Sequence, residues 1–102
     1  MSDLLFQNLS TVQSNQQQKP VTIASTTTIA PSTFITFLSG TVNVATITPP
    51  VTGSHMLVII PTNAAPGSFV TTGNISVGTT TAAQNVPIAF YYDPSTAKYY
   101  LK

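Results

Sequence analysis

His55, Asp3 and Asp93 are the only side chains of this sequence that ordinarily titrate below pH 7. A metal centre needs three or four ligands, usually His, Cys or carboxylate. One histidine and two distant aspartates do not supply them within a subunit, so no metal and no cofactor is expected. Only three copies meeting on a threefold axis would bring three His55 rings together. His55 stands between Gly53-Ser54 and the apolar run Met56-Leu57-Val58-Ile59-Ile60. It is read as a histidine at a strand entry with its hydrogen bonds satisfied.

Asp93 has no carboxylate partner except Asp3 at the far end of the sequence, so the paired carboxylates of glycosidic cleavage are missing. In Asp93-Pro94-Ser95-Thr96 it occupies the first position of a type I turn, with Pro second. A Ser-His-Asp set would need His55 and Asp93, and no serine lies in a G-x-S-x-G elbow. Gly73-Asn74-Ile75-Ser76-Val77-Gly78 lacks the lysine and the helix of a phosphate loop. Asn8-Leu9-Ser10 and Asn74-Ile75-Ser76 have the form of glycosylation sequons. Met1-Ser2-Asp3 offers no basic n-region and Leu4-Leu5-Phe6 is short, so no signal peptide is expected and the sequons carry no meaning. The chain is therefore expected not to be an enzyme.

Composition points the same way. Of 102 residues, 5% are charged, 3 Lys+Arg against 2 Asp+Glu; about 25% is usual. Nucleic-acid binding through clustered Lys and Arg is excluded. A solvated charged tail is excluded by the 42% hydrophobic content. The surface must be Thr, Ser, Asn, Gln, Pro and backbone, which lowers the electrostatic barrier to association. The absence of cysteine removes disulfides and thiol chemistry, and points to folding in a cytoplasm or to stabilisation by oligomerisation. No apolar run is long enough for a transmembrane helix, so no membrane partner is expected.

The elements that must position these residues fall into two parts. Residues 1–19 read as an N-terminal arm. Leu4, Leu5, Phe6, Leu9 and Val12 are apolar, and Leu5, Leu9 and Val12 are spaced i, i+4, i+7 as on one face of a short helix capped by Asp3. Residues 13–19 form a polar tether. An apolar tip on such a tether has the look of a docking arm that reaches a neighbour; the alternative is an extension packed on its own domain.

Residues 20–102 form a neutral β domain, free of Asp, Glu, Lys and Arg from Pro20 to Tyr92. β-Branched and aromatic residues dominate it, as suits a pleated, half-buried sheet. Strands are predicted at 21–24, 26–29, 33–38, 41–48, 55–60, 86–92 and 97–101, with Val42 and Val44 sharing a face, and Ile47 out of phase. Phe69-Val70-Thr71 and Asn74-Ile75-Ser76-Val77 make one bent strand or two. The continuous run from His55 to Ile60 reads as a central strand. Strands at this spacing, separated by turn residues, predict an antiparallel β-sandwich or jelly-roll-like barrel. In the closing hairpin, alternation sends Tyr91 to one face and Phe90 and Tyr92 to the other, and likewise separates Tyr99 from Tyr100. Outward tyrosines there would pair across the strands, anchor an interface or stack on sugars.

Several stretches carry a resemblance: Lys19-Pro20-Val21-Thr22-Ile23-Ala24, Thr46-Ile47-Thr48-Pro49-Pro50-Val51-Thr52-Gly53, Met56-Leu57-Val58-Ile59-Ile60, Thr71-Thr72-Gly73-Asn74-Ile75 and Phe90-Tyr91-Tyr92-Asp93. Together they resemble the charge-poor cement, or decoration, proteins of tailed-phage capsids, and similar patterns occur in phage tail-fibre modules. The resemblance covers most of residues 19–101 and is one of short patterns. It implies a non-enzymatic structural virion protein, made in the host cytoplasm, that binds the outer surface of the major capsid protein. It further implies a homo-oligomer, often a trimer, with the arm on a neighbouring subunit. The expected contact residues are Leu4, Leu5, Phe6, Leu9 and Val12 in the arm, and Tyr91, Tyr92, Tyr99 and Tyr100 in the hairpin. The competing reading is a glycan-binding receptor module of a tail fibre.

Overall fold

The computed structural model describes residues 19–76 and 81–101. They are all β, with no helix among them. In chain order the strands are β1 (Val21–Ala24), β2 (Thr28–Ile29), β3 (Ile35–Ser39), β4 (Thr46–Ile47), β5 (His55–Pro61), β6 (Ile88–Asp93) and β7 (Lys98–Leu101). Five of them form one sheet in the order β1-β3-β5-β6-β7, and β2 pairs with β4 in a second.

The large sheet is mixed, which corrects the antiparallel expectation. β1, β3 and β5 run parallel, as do β2 and β4; only β5-β6 and β6-β7 are antiparallel. The physical reason lies in where the turns lead. The breaks at Pro31-Ser32, Ser39-Gly40 and Pro49-Pro50 each pass the chain from one sheet to the other, not to an adjacent strand. Two such passages restore the original direction, so every second strand lies parallel to the last. Only Asp93-Pro94 folds the chain straight back on its neighbour. There Asp93 Oδ1 accepts from Ser95 N at 3.0 Å and Ser95 Oγ at 2.7 Å, and Ala97 takes φ 54° before β7 begins. Asp93 is the turn residue that its spacing predicts.

One core joins the two sheets: Ile29, Val44 and Ile47 from the smaller side, and Leu38, Leu57, Ile59, Ile88, Phe90, Tyr92 and Tyr99 from the larger. β5 is the central strand of five, as its apolar run predicts. The expected strand over 41–48 is shorter. Its ladder is confined to Thr46–Ile47, with an isolated parallel bridge between Val44 and Phe69. Val42 and Val44 do not share a face: Val42 is 47% exposed and Val44 1%. The backbone N–H of Val42 is taken by Ser25 Oγ at 3.0 Å, which draws it out of any ladder. Ile47, out of phase with Val42, is buried together with Val44.

Phe69 and Ile75 belong to separate single bridges, one to Val44 and one to Tyr99. Asn74 links these regions. Its Oδ1 accepts from Ile47 N at 2.8 Å and its Nδ2 donates to Ile47 O at 2.7 Å, while its own carbonyl accepts from Tyr99 N at 2.8 Å. The side-chain amide thus pairs with β4 as a strand residue would, and its backbone pairs with β7. At Gly73 a Cβ would strike the Ala45 carbonyl, so only glycine lets this segment lie against β4.

Candidate interaction surface

The strand registers sort the large sheet into two faces. Towards the core lie the rows His55-Tyr92-Tyr99, Leu57-Phe90-Leu101 and Thr36-Ile59-Ile88. On the opposite face lie Met56-Tyr91-Tyr100, Ile35-Val58-Ala89 and Thr22-Phe37-Ile60. A sheet covered on one side normally alternates apolar with polar. Here the outer rows are apolar or aromatic apart from Thr22. Ile35, Met56 and Tyr91 are 45%, 40% and 39% exposed, and the others, save exposed Thr22, are half-buried. Among the described residues, charge enters this face only at its hairpin end, in the facing pair Asp93 and Lys98.

The four tyrosines divide as alternation predicts. Tyr91 and Tyr100 face each other on the outer side, and Tyr92 and Tyr99 on the inner. Tyr92 is 8% exposed and Tyr99 fully buried, so these two belong to the core and offer no surface. The hydroxyls of Tyr100 and Thr96 lie 3.1 Å apart, which holds the outer phenol over the turn. Leu4, Leu5, Phe6, Leu9 and Val12 lie outside the described residues.

The inner tyrosines surround His55. Its ring lies 5.1 Å from Tyr92, 5.6 Å from Tyr99 and 5.5 Å from Phe34. Nδ1 is 2.7 Å from Gly53 O, and Nε2 is 2.8 Å from Tyr99 Oη. The Gly53 carbonyl can only accept, so Nδ1 carries a proton, and in the neutral form of the ring Nε2 accepts from the Tyr99 hydroxyl. Both nitrogens are satisfied, as the strand-entry reading predicts. Burial, and secondarily the nearby Tyr92, push the Tyr99 phenol well above its ordinary value. It is a poor acid held as a neutral donor. No group of three or more His, Cys, Asp or Glu that could hold a metal occurs among the described residues, and no buried side-chain polar atom among them lacks a partner. Both ring nitrogens of half-buried His55 and the hydroxyl of Tyr99 are thus engaged within the cluster.

Asn74 is the residue that sequence reasoning passes over. It figures there in a sequon, a rejected phosphate loop and a short strand, none of which points to its role, and its pairing with Ile47 spans 27 positions. The outer face was legible in part. The apolar run of β5 is the signal of a strand that is apolar on both faces, and the registers that join it to β3 and β6 are long-range.

No protein family, no curated protein and no solved structure matches this chain.

Proposed function

We propose that the chain is a structural protein of a virus particle, a homotrimer of sandwich-type subunits that binds the outside of the major capsid protein and holds the shell together. The observation that carries this reading is the outer face of the five-stranded sheet, apolar across three rows and, among the described residues, without charge until the hairpin turn. Soluble monomers rarely expose contiguous apolar surface of this kind unless it meets a partner. Its aromatic end, Met56, Tyr91 and Tyr100, has the chemistry of interface anchors, with large apolar area on rigid side chains and polar tips. The uncharged Thr-rich coat supports the same reading, since it presents little repulsion to a neighbour. Repetition around a symmetry axis multiplies modest contacts into avidity.

A second reading, a glycan-binding module, draws on the adjacent Tyr91 and Tyr100 rings, because paired exposed phenols can stack on sugars. The test is co-sedimentation of the intact protein with shells of its source that lack it, beside binding to a panel of cell-surface glycans. Saturable binding to shells and none to glycans supports the capsid role. Glycan binding without shell binding supports the module, and a monomer that ignores both overturns the two readings together.

A further inference from the structure

The strand edges of this fold do not all end in the same way. At β7, Tyr99 N donates to Asn74 O and Tyr99 O accepts from Ser76 N, both at 2.8 Å. On the outer side of β4, the Asn74 amide holds the N–H and C=O of Ile47. At β2, the Thr28 carbonyl accepts from the chain's own Thr26 hydroxyl. The edge strand β1 is the exception. The N–H and C=O of one strand residue point to the same edge, and successive residues alternate. Ser25 N donates to Ser39 O at 2.7 Å, so Ser25, and with it Ile23 and Val21, turns towards β3. Thr22 and Ala24 turn outward, and among the described residues nothing pairs with their N–H or C=O. Natural sheets guard a bare edge with charge, proline, a bulge or a covering segment. Val21-Thr22-Ile23-Ala24 carries neither charge nor proline, and its register with β3 runs without a bulge.

From this contrast we infer that β1 is an interaction edge, and that its occupant is β1 of a second copy, paired antiparallel about a twofold axis at Ile23. Three observations select this occupant. The first is self-complementarity. The outward groups sit two positions apart, so the twofold sets Thr22 opposite Ala24 of the second copy and Ala24 opposite its Thr22. Each of these pairs exchanges both N–H···O=C bonds. The second is charge. Lys19, the charged residue nearest β1 among those described, falls level with Thr27 of the second copy, so no like charges meet. The third is bulk and exposure. Thr22 and Ala24 are small, and Val21, 39% exposed, is covered by the pairing. A twofold contact uses the same edge on both copies and closes on itself, so a bare, uncharged edge of this kind ends in a pair and not in a fibre. The pairing continues the sheet from one copy to the next and sets their outer faces side by side. It goes beyond the capsid reading and does not need it. In a homotrimer it would be the contact between trimers.

The absence of cysteine makes a clean test in the full-length chain. Across the twofold, Ile23 faces Ile23 of the second copy as a non-hydrogen-bonded pair, with Cα atoms about 4.5 Å apart, within disulfide range. Val21 lies on the same side of β1 and is more exposed, yet it stands about 14 Å along the strand from its own copy. With diamide as oxidant, Ile23→Cys should form a disulfide-linked pair of chains at least tenfold faster than Val21→Cys. Equal rates, or a faster Val21→Cys, overturn the inference. Ala24→Pro gives a second test that leaves Ile23 and the bonds of β1 to β3 in place, because it removes an outward N–H. The parent should have the mass of a dimer, or of a hexamer where a trimer also forms. Ala24→Pro should halve that mass while thermal unfolding stays cooperative. A parent that is a monomer or a lone trimer, or a mass unchanged by Ala24→Pro, overturns the inference. None of these results depends on a shell, so the capsid reading stands or falls separately.

Discussion

The two faces of the five-stranded sheet are built from the same strands and nearly the same residue types, yet their surroundings differ. The inner face packs Leu57, Ile59, Phe90 and Tyr99 against Ile29, Val44 and Ile47, and its polar atoms are paired, from Thr36 Oγ1 on Thr33 O to Tyr99 Oη on His55. The outer face sets Ile35, Met56, Val58 and Tyr91 towards solvent. Apolar composition is therefore a poor guide to what is core here. A side chain contributes to the fold by what it displaces water against. The same type on the other face contributes only when a partner or another segment of chain arrives.

The largest effect that separates the faces is expected from truncation in the core. Phe90→Ala removes a ring that meets Phe69 at 5.2 Å and Tyr99 at 6.2 Å. Equilibrium unfolding should show a loss of about 3–5 kcal/mol. A loss under 1 kcal/mol would mean the inner face is no better packed than the outer, and the comparison would fail.

Next in size is the tie between the sheets. Asn74→Ala leaves the N–H and C=O of buried Ile47 without their partners. A cost of about 1–3 kcal/mol follows from leaving such groups unpaired. Denaturant melts should show it as a lower midpoint with little change in slope.

A smaller and pH-dependent effect comes from Tyr99. Its folded pKa lies above the unfolded value of about 10. Its contribution is complete below pH 10 and is lost as pH rises beyond that, because the unfolded chain releases the proton first. Melting temperature should hold up to about pH 9 and fall above pH 10. Tyr99→Phe, which keeps the ring and deletes the bond to His55, should cost about 1 kcal/mol at pH 7 and flatten the alkaline fall. A Tyr99→Phe profile as steep as that of the parent would remove this account.

The smallest effect on folding belongs to the outer face. Tyr91→Ala should change stability by less than about 1 kcal/mol, with its whole consequence in association. Stability lost on the scale of Phe90→Ala would show that the outer face is core in the isolated chain.

Much of this arrangement is written in local sequence and some is not. The run from His55 to Ile60 marks the central strand, Asp93-Pro94 marks the hairpin, and alternation divides Tyr91 from Tyr92. Each signal rests on neighbours within a few positions. The parallel pairing of β1, β3 and β5 is not local: a proline or glycine shows that a strand ends, not whether the chain returns beside it or crosses to the other sheet. Val42 misleads for a related reason. It keeps the alternation with Val44, but its N–H is captured by Ser25, distant in sequence, and it leaves the ladder. The pairing of Asn74 with Ile47 is equally distant, and the type of the residue alone reads as a turn or a sequon. Of the contact residues, alternation separates Tyr91 and Tyr100 from their neighbours, and only burial shows which pair is the core pair.

The central claim is that the outer sheet face is the partner surface. It is tested most directly by titrating shells that lack this protein with two full-length variants of matched charge, Tyr91→Asp on the outer face and Thr28→Asp on the exposed side of β2. The account predicts at least a tenfold weaker Kd for Tyr91→Asp and parent-like binding for Thr28→Asp, with both melting within a few degrees of the parent. Parent-like binding by Tyr91→Asp, or equal weakening by the two, would contradict it.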